Sequence, residues 1–286
     1  MVSIKSKIYS MLPKNMQKKT KSFYYDSILY PINKLKNKIK YGESDFFDTI
    51  CIETTTHCNL RCDFCPNKIY ERGTLKNKKL MDEELFKKII NQLAEVKFKG
   101  TIMPHFYGEP LTDERLTDWV SYIKEKLPKS RIEINSNGIL LTPEIYKQLI
   151  NAGADSFTIS QYTPEMTEGM KQVFEYLKKR PKENKINYRV FKEDTAICNR
   201  GGEIEVKKPW EKPLCTYPIN FINIDYNGNM VICCNDYHSS IKLGNLNQER
   251  LIDIWFKPYY KNLRKSLRKG VYDLLICKRC VGEITS

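Results

Sequence analysis

From residue 48 onward, apolar positions alternate between two periods: short runs with strand character, and longer stretches repeating every three or four residues. Thr49–Thr55, rich in Ile and Thr, predicts a first strand, and Met81–Val96 an amphipathic helix with Asp82 placed to cap it. Thr101–Phe106 reads as a strand, Thr112–Leu127 as a helix and Arg131–Asn135 as a strand. Thr142–Asn151 opens on Thr-Pro and stops at Gly153, the punctuation of a helix. Ser156–Ser160 is a strand, Pro164–Lys179 a helix and Lys185–Phe191 a strand. Repeated β/α units imply a parallel sheet, with function at the C-terminal ends of its strands. Five units are too few for a closed eight-stranded barrel. The expected fold class is therefore α/β, a partial, open parallel β/α barrel.

On either side the pattern differs. Residues 1–45 place Ile8, Tyr9, Leu12 and later Ile28, Leu29, Leu35 and Ile39 among lysines, with Pro13 and Pro31 breaking the run into short helical pieces. Around Arg200–Pro213 the composition turns to Gly, Glu, Lys and Pro, which predicts a linker. Beyond it, Phe221–Asp225 and Met230–Cys233 flank Asn227-Gly228, a β-hairpin signal. A helix near Gln248–Arg268 leads to a final Cys277/Cys280 pair. The expected division is a basic helical N-terminal extension (1–47), a partial barrel (48–205) and a small, Cys-rich α+β domain (206–286).

Composition narrows the function. Of 286 residues, 41% are hydrophobic, enough for a sizeable core. Formal net charge is +14, and residues 1–45 hold half of it, with ten lysines against three acidic residues. That segment reads either as a solvated helix on the outside of the fold or as a contact for a membrane surface or another anionic carrier. No specific nucleic-acid motif accompanies the charge. No apolar stretch is long enough to span a bilayer, and no signal-peptide pattern opens the chain, so a cytoplasmic protein is expected. Ten cysteines in that setting point to metal or redox chemistry rather than disulfides.

Cys58, Cys62 and Cys65 share one short loop directly after the first strand. Thiolates are soft ligands for zinc or for iron–sulfur clusters. Three of them can hold three irons of a cubane, leaving the fourth iron open to a small chelating molecule. A zinc site completed by His57 or a distant cysteine is the competing reading. The position at a strand's C-terminal end favours an active site. A second set, Cys215, Cys233, Cys277 and Cys280, can hold either a Cys₄ zinc or another cluster. Cys51 reads as a small core residue, Cys198 carries no signal, and Cys234 adjoins a ligand candidate.

The CxxxCxxC spacing, with Phe64 before the third cysteine, resembles the radical S-adenosylmethionine superfamily. The resemblance covers about residues 48–200 and implies a [4Fe–4S] cluster with an open iron site on Cys58, Cys62 and Cys65, with S-adenosyl-L-methionine as cofactor. It places Phe64 near the adenine. Tyr107-Gly108-Glu109-Pro110 is similar to the family's Gly-Gly-Glu-Pro segment, which implies that Gly108, Glu109 and Pro110 bind the methionine amino group. Tyr107 stands where the family has its first glycine. Ser136 and Asn137 match the ribose-contacting segment, and Ser160 ends the fourth strand at another cofactor position. Arg189 on the fifth strand faces cofactor or substrate, or is a surface arginine.

The C-terminal region resembles the family's SPASM extension, with Gly244-Asn245 and Ile254-Trp255 matching. No cysteine follows Cys280, as in the shorter Twitch version, which implies one auxiliary [4Fe–4S] cluster on Cys215, Cys233, Cys277 and Cys280. The spacing is similar to that of a cyclitol-oxidising member. The family's chemistry implies abstraction of a substrate hydrogen atom by a 5′-deoxyadenosyl radical. A low-potential donor such as flavodoxin or ferredoxin would supply the electron. Oxidation of a secondary alcohol on a carbohydrate-like small-molecule substrate, with the auxiliary cluster as acceptor, is the leading expectation. Epimerisation with Cys234 as hydrogen donor and peptide maturation are the alternatives within the family. A non-catalytic zinc scaffold binding polyanions lies outside it.

Overall fold

The computed structural model describes Thr20 and residues 23–192, 195–206 and 215–284. Ile8, Tyr9, Leu12, Pro13 and residues 207–213 of the expected linker lie outside them. A π-helical turn, Tyr25–Leu29, runs into helix α1 (Tyr30–Tyr41), which Gly42 ends at φ 75°. Then come β1 (Thr49–Ile52), α2 (Glu83–Glu95), β2 (Thr101–Met103), α3 (Leu116–Lys126), β3 (Arg131–Ser136), α4 (Pro143–Ala152), β4 (Ser156–Gln161), α5 (Glu168–Lys178) and β5 (Ile186–Val190). These are the predicted β/α units, with ends shifted by caps. The Asp82 carboxylate accepts from Leu85 N, and Thr142 and Thr167 cap α4 and α5 in the same way. The Thr167 cap makes α5 start later than the expected Pro164.

Strands β1 to β5 pair in parallel, and Phe221–Ile224 (β6) lies parallel to β1 on its free side. The predicted hairpin forms: β7 (Asn229–Val231) returns antiparallel to β6 around Gly228 at φ 80°, and β8 (Lys242–Asn245) follows. The result is one sheet, in the order β5-β4-β3-β2-β1-β6-β7-β8, open at both edges. The C-terminal strands thus continue the barrel's own sheet. The single helix expected over Gln248–Arg268 is two, α7 (Leu251–Phe256) and α8 (Pro258–Arg268), because Pro258 cannot donate to the helix ladder. A short α6 (Tyr217–Asn220) precedes β6, and α9 (Leu275–Val281) ends the described chain.

Arg200–Gly202, expected as linker, is a packed turn. Gly201 and Gly202 take positive φ, and an added Cβ would meet Ile276 and Arg279 of α9 at 2.6 and 2.9 Å.

Alternation along the strands separates two layers. Ile50, Ile52, Ile102, Ile132, Ile134, Phe157, Ile159, Ile222 and Ile224 join Phe86, Ile89, Leu93, Trp119 and Val120 in one apolar core. The intervening residues Cys51, Met103, Glu133, Asn135, Thr158, Ser160, Arg189 and Asn223 face a cavity. Trp255 fastens the C-terminal helices to this core. Its Nε1 donates to Asp45 O at 2.8 Å and its ring meets Phe47 edge-on. The Arg264 guanidinium lies 3.8 Å from its centroid and pairs with Asp45 at 2.9 Å.

Because Trp255 is fully buried, Trp255→Ala should cost about 3–5 kcal/mol of stability. Chemical denaturation of the two proteins will measure it.

Candidate active site

The chain from β1 to α2 forms a long loop that carries the first cysteine group. Its path is held by Cys58 N donating to Gly73 O (3.0 Å), Cys65 N to Cys62 O (3.0 Å) and the Arg61 guanidinium to Asn67 O (2.9 Å). All three thiols line a cavity of about 480 Å³ at the C-terminal ends of the strands. Burial pushes Cys58 up to about 11 and Cys62 to about 12, and raises Cys65, with neighbouring thiols adding to the shift at Cys58 and Cys62. Thiols raised in this way release their protons on binding a metal.

Gly108 permits the next contact. A Cβ there would lie 2.0 Å from Thr55 O, so no side chain fits where the β2 loop crosses the β1 loop. Glu109 N donates to His57 O at 2.7 Å, and Pro110 opens a 3₁₀ turn. The Glu109 carboxylate is buried and takes three hydrogen bonds: from Ser136 Oγ (2.6 Å), Asn137 N (2.8 Å) and Leu111 N (3.2 Å). Burial outweighs these bonds and raises its pKa to about 7. Ser136, predicted to meet a ribose, thus donates its hydroxyl to Glu109, and Asn137 Nδ2 donates to Asn59 Oδ1 at 2.8 Å. Ser160 and Arg189 sit side by side in the β4/β5 register and both line the cavity. Phe64 stacks on Phe191 at 4.2 Å and lies 5.0 Å from Tyr162, an aromatic wall that suits a flat base.

The remaining walls carry polar atoms with no partner within the protein: His105 Nδ1, Tyr107 Oη, Asn135 Oδ1, both amide atoms of Asn223, and Arg200 Nε. Buried polar groups without partners cost free energy unless a ligand satisfies them, so this surface fits a polar, many-hydroxyl guest. Burial lowers His105 to about 4, so its imidazole is neutral. Arg200, at φ 53°, is the residue sequence reasoning missed. It is a half-buried cation on the cavity wall. Burial opposes its charge, yet Tyr107 and the Cys198, Cys234 and Cys65 thiols raise its pKa. Its sequence context, a Gly-rich turn, gave no signal.

The second cysteine group surrounds a pocket of its own. Cys215, Cys233, Cys277 and Cys280 line it as predicted, and so do Cys198 and Cys234. Cys198 is therefore not an uninformative loop residue: its thiol hydrogen-bonds that of Cys280 and accepts from Arg200 N at 3.3 Å. Asn235 donates its backbone N–H to Cys233 Sγ and its amide to Cys280 Sγ, both at 3.4 Å. Cys234 lines both the pocket and the large cavity, and Cys51, read as core, is buried with its thiol on the cavity wall. Among the described residues, no three His, Cys, Asp or Glu side chains converge tightly enough for one metal ion.

Residues 52–193 match the Radical SAM superfamily, and residues 215–281 match SPASM, an iron–sulfur cluster-binding domain. The chain is 31% identical over 239 residues to the S-adenosyl-L-methionine-dependent 2-deoxy-scyllo-inosamine dehydrogenase of Niallia circulans, covering 82% of this chain and 92% of that protein. This protein belongs to the radical S-adenosylmethionine superfamily. It also resembles the crystal structure of BtrN in complex with AdoMet and 2-DOIA, with a TM-score of 0.74 at 30% identity over 82% of this chain and 93% of the other. Native anSMEcpe with bound AdoMet, at 11% identity over 82% and 88% of the chains and a TM-score of 0.53, shares the fold. As an oxidoreductase of this superfamily the chain takes S-adenosylmethionine, a [4Fe–4S] cluster and an auxiliary [4Fe–4S] cluster. The cysteine sets and the open, partner-seeking polar wall fit these groups.

Gly108→Ala should weaken S-adenosylmethionine binding at least about tenfold and also lower the iron retained on reconstitution, since the clash falls on Thr55 and His57 of the loop that leads to Cys58; isothermal titration and iron assay will measure the two. A second outcome concerns pH. An ammonium group needs the ionised Glu109, and the raised pKa means that this form declines as pH falls through about 7. Affinity should therefore drop about tenfold per unit below pH 7, and Glu109→Gln should flatten the profile.

Proposed function

We propose that this enzyme oxidises a secondary alcohol of a cyclitol or sugar to a ketone. The observation that supports it is a cavity, lined by the first thiol group, that shares a wall with the pocket of the second. Cys58, Cys62 and Cys65 line one side of it, and Tyr217 and Cys234 line both spaces. Its unsatisfied amide, imidazole, phenol and guanidinium atoms suit a compact polyhydroxylated guest.

In this reading Cys58, Cys62 and Cys65 hold the first cluster, and Glu109 the amino group of S-adenosylmethionine. Phe64 lies by the adenine, and Asn137, Ser160 and Arg189 by the rest of the cofactor. Cys215, Cys233, Cys277 and Cys280 hold the auxiliary cluster. When bound, the first cluster with S-adenosylmethionine supplies a 5′-deoxyadenosyl radical that removes a substrate hydrogen atom, and the auxiliary cluster supplies an electron acceptor. The protein's own share is positioning and proton handling. Arg200 orients the reacting hydroxyl from the cavity wall, and Asn135 and Asn223 hold its neighbours. The hydroxyl proton can pass to Glu133 on the same wall. N–H donors from Asn235 to two auxiliary thiols favour the reduced state of whatever cluster they carry.

Among the described residues no helix is long and apolar enough to cross a membrane. A cytoplasmic enzyme drawing electrons from flavodoxin or ferredoxin is the setting we infer, since all ten cysteines are free. The division into an N-terminal extension (1–47), barrel (48–205) and auxiliary region (206–286) follows the same assignment.

A second reading is epimerisation. It is favoured by Cys234, which reaches the substrate cavity as a hydrogen donor must. One assay separates the two. Reconstituted enzyme, reductant and S-adenosylmethionine, given 2-deoxy-scyllo-inosamine and related cyclitols, should yield ketone and 5′-deoxyadenosine in equal amounts. Cys234→Ala should keep ketone formation within about threefold. An epimer from the wild type, with ketone only from the variant, would assign Cys234 as the donor and reverse the conclusion. No product from any secondary alcohol would remove the carbohydrate reading.

A further inference from the structure

Helix α1 is built inside out. Its inward face is Tyr30, Asn33, Asn37 and Tyr41, with the Asn37 amide donating to Phe46 O at 2.8 Å. Its apolar residues point the other way. Ile28, Ile32, Leu35 and Ile39 recur at spacings of four, three and four, one stripe of a helix, and all are exposed, Leu35 at 62% and Ile39 at 79%. Lys36 and Lys38 border the stripe on its two flanks. Lys34 and Lys40 lie further round, and Tyr30–Tyr41 contains no acidic residue. Burying the apolar side chains against the protein would have been the favourable choice for folding alone, so this stripe awaits something apolar outside it.

We infer that α1 lies in the surface of an anionic membrane, its stripe among the acyl chains and its lysines among the headgroups. Charge selects this occupant. A second copy would set Lys36 and Lys38 against their own counterparts, whereas anionic lipid gains from both; Lys34 and Lys40 lean on Tyr30 and Tyr41, and Lys40 faces Asp48 at 3.9 Å. The protein beside the helix repeats the sign. A cleft of about 250 Å³ next to Tyr30 is lined by Lys261, Lys265 and Arg268, while Asp45 on its wall is paired to Arg264. The cysteine cavity contributes nothing to this surface, so docking stands independently of the reaction.

Vesicle co-sedimentation of the reconstituted enzyme tests it. Binding to phosphatidylglycerol vesicles should exceed binding to phosphatidylcholine by at least about tenfold, fall with salt, and be lost in Ile32→Ser/Leu35→Ser/Ile39→Ser. Melting temperature and S-adenosylmethionine cleavage should not change. Lys36→Glu/Lys38→Glu, which leaves the stripe intact, should weaken the same binding and supplies the answer if the triple variant folds poorly. Equal affinity for both lipids, no binding to either, or undiminished binding by both variants would overturn the inference. So would a wild-type dimer in light scattering that the triple variant converts to monomer, because a second copy would then cover the stripe.

Discussion

The pairing of β6 with β1 is the constraint on which the molecule's chemistry depends. β1 delivers the first cysteine loop at its C-terminal end, and β6 runs beside it in the same direction, Ile50 opposite Ile222 and Cys51 opposite Asn223. The chain leaving β6 turns at Gly228 and returns through β7 to Cys233 and Cys234. Two thiol groups separated by about 150 residues are thereby brought to adjoining cavities, with Cys234 on the wall of both. Lateral backbone hydrogen bonds between parallel strands fix their relation more stiffly than a linker between domains could.

The same pairing governs the balance of polarity inside the sheet. A closed barrel fills its interior with branched apolar side chains. Here the outer face is Ile-rich and packs on the helices, whereas the inner face offers Glu133, Asn135, Thr158, Ser160 and Asn223. Leaving several of those atoms without protein partners costs stability, which the apolar layer and the Trp255–Arg264–Asp45 assembly offset. A cross-link near the cavity mouth adds to it. Arg72 bonds Tyr237 O and Glu53, while Tyr237 Oη reaches Asn67 on the first cysteine loop. The loop that would carry the first cluster is thus tied to the segment that follows Cys234.

Glu109 illustrates how a buried acid is kept ready. Its three donors come from the last residue of β3, the residue after it and its own turn, and burial still holds its pKa near the physiological range. A cationic amino group arriving from the cavity side would supply the compensation that the protein leaves out.

What the chain's local pattern determined was the order of β/α units, the helix caps at Asp82 and Thr142, the hairpin at Asn227-Gly228, and both cysteine sets. Each depends on residues within a few positions of one another, where periodicity, turn chemistry and ligand spacing are written directly. Only the tertiary structure decided that β6 joins β1, that Arg200 places its cation on the cavity wall, that Cys198 and Cys51 face pockets, and that the apolar side of α1 points outward. Those outcomes depend on which surfaces meet across the fold. A Gly-rich turn or an amphipathic helix looks the same in sequence whether its neighbour is water, a thiol or another strand. Burial and strand register, set by contacts between distant segments, assign those residues their surroundings and so their chemistry.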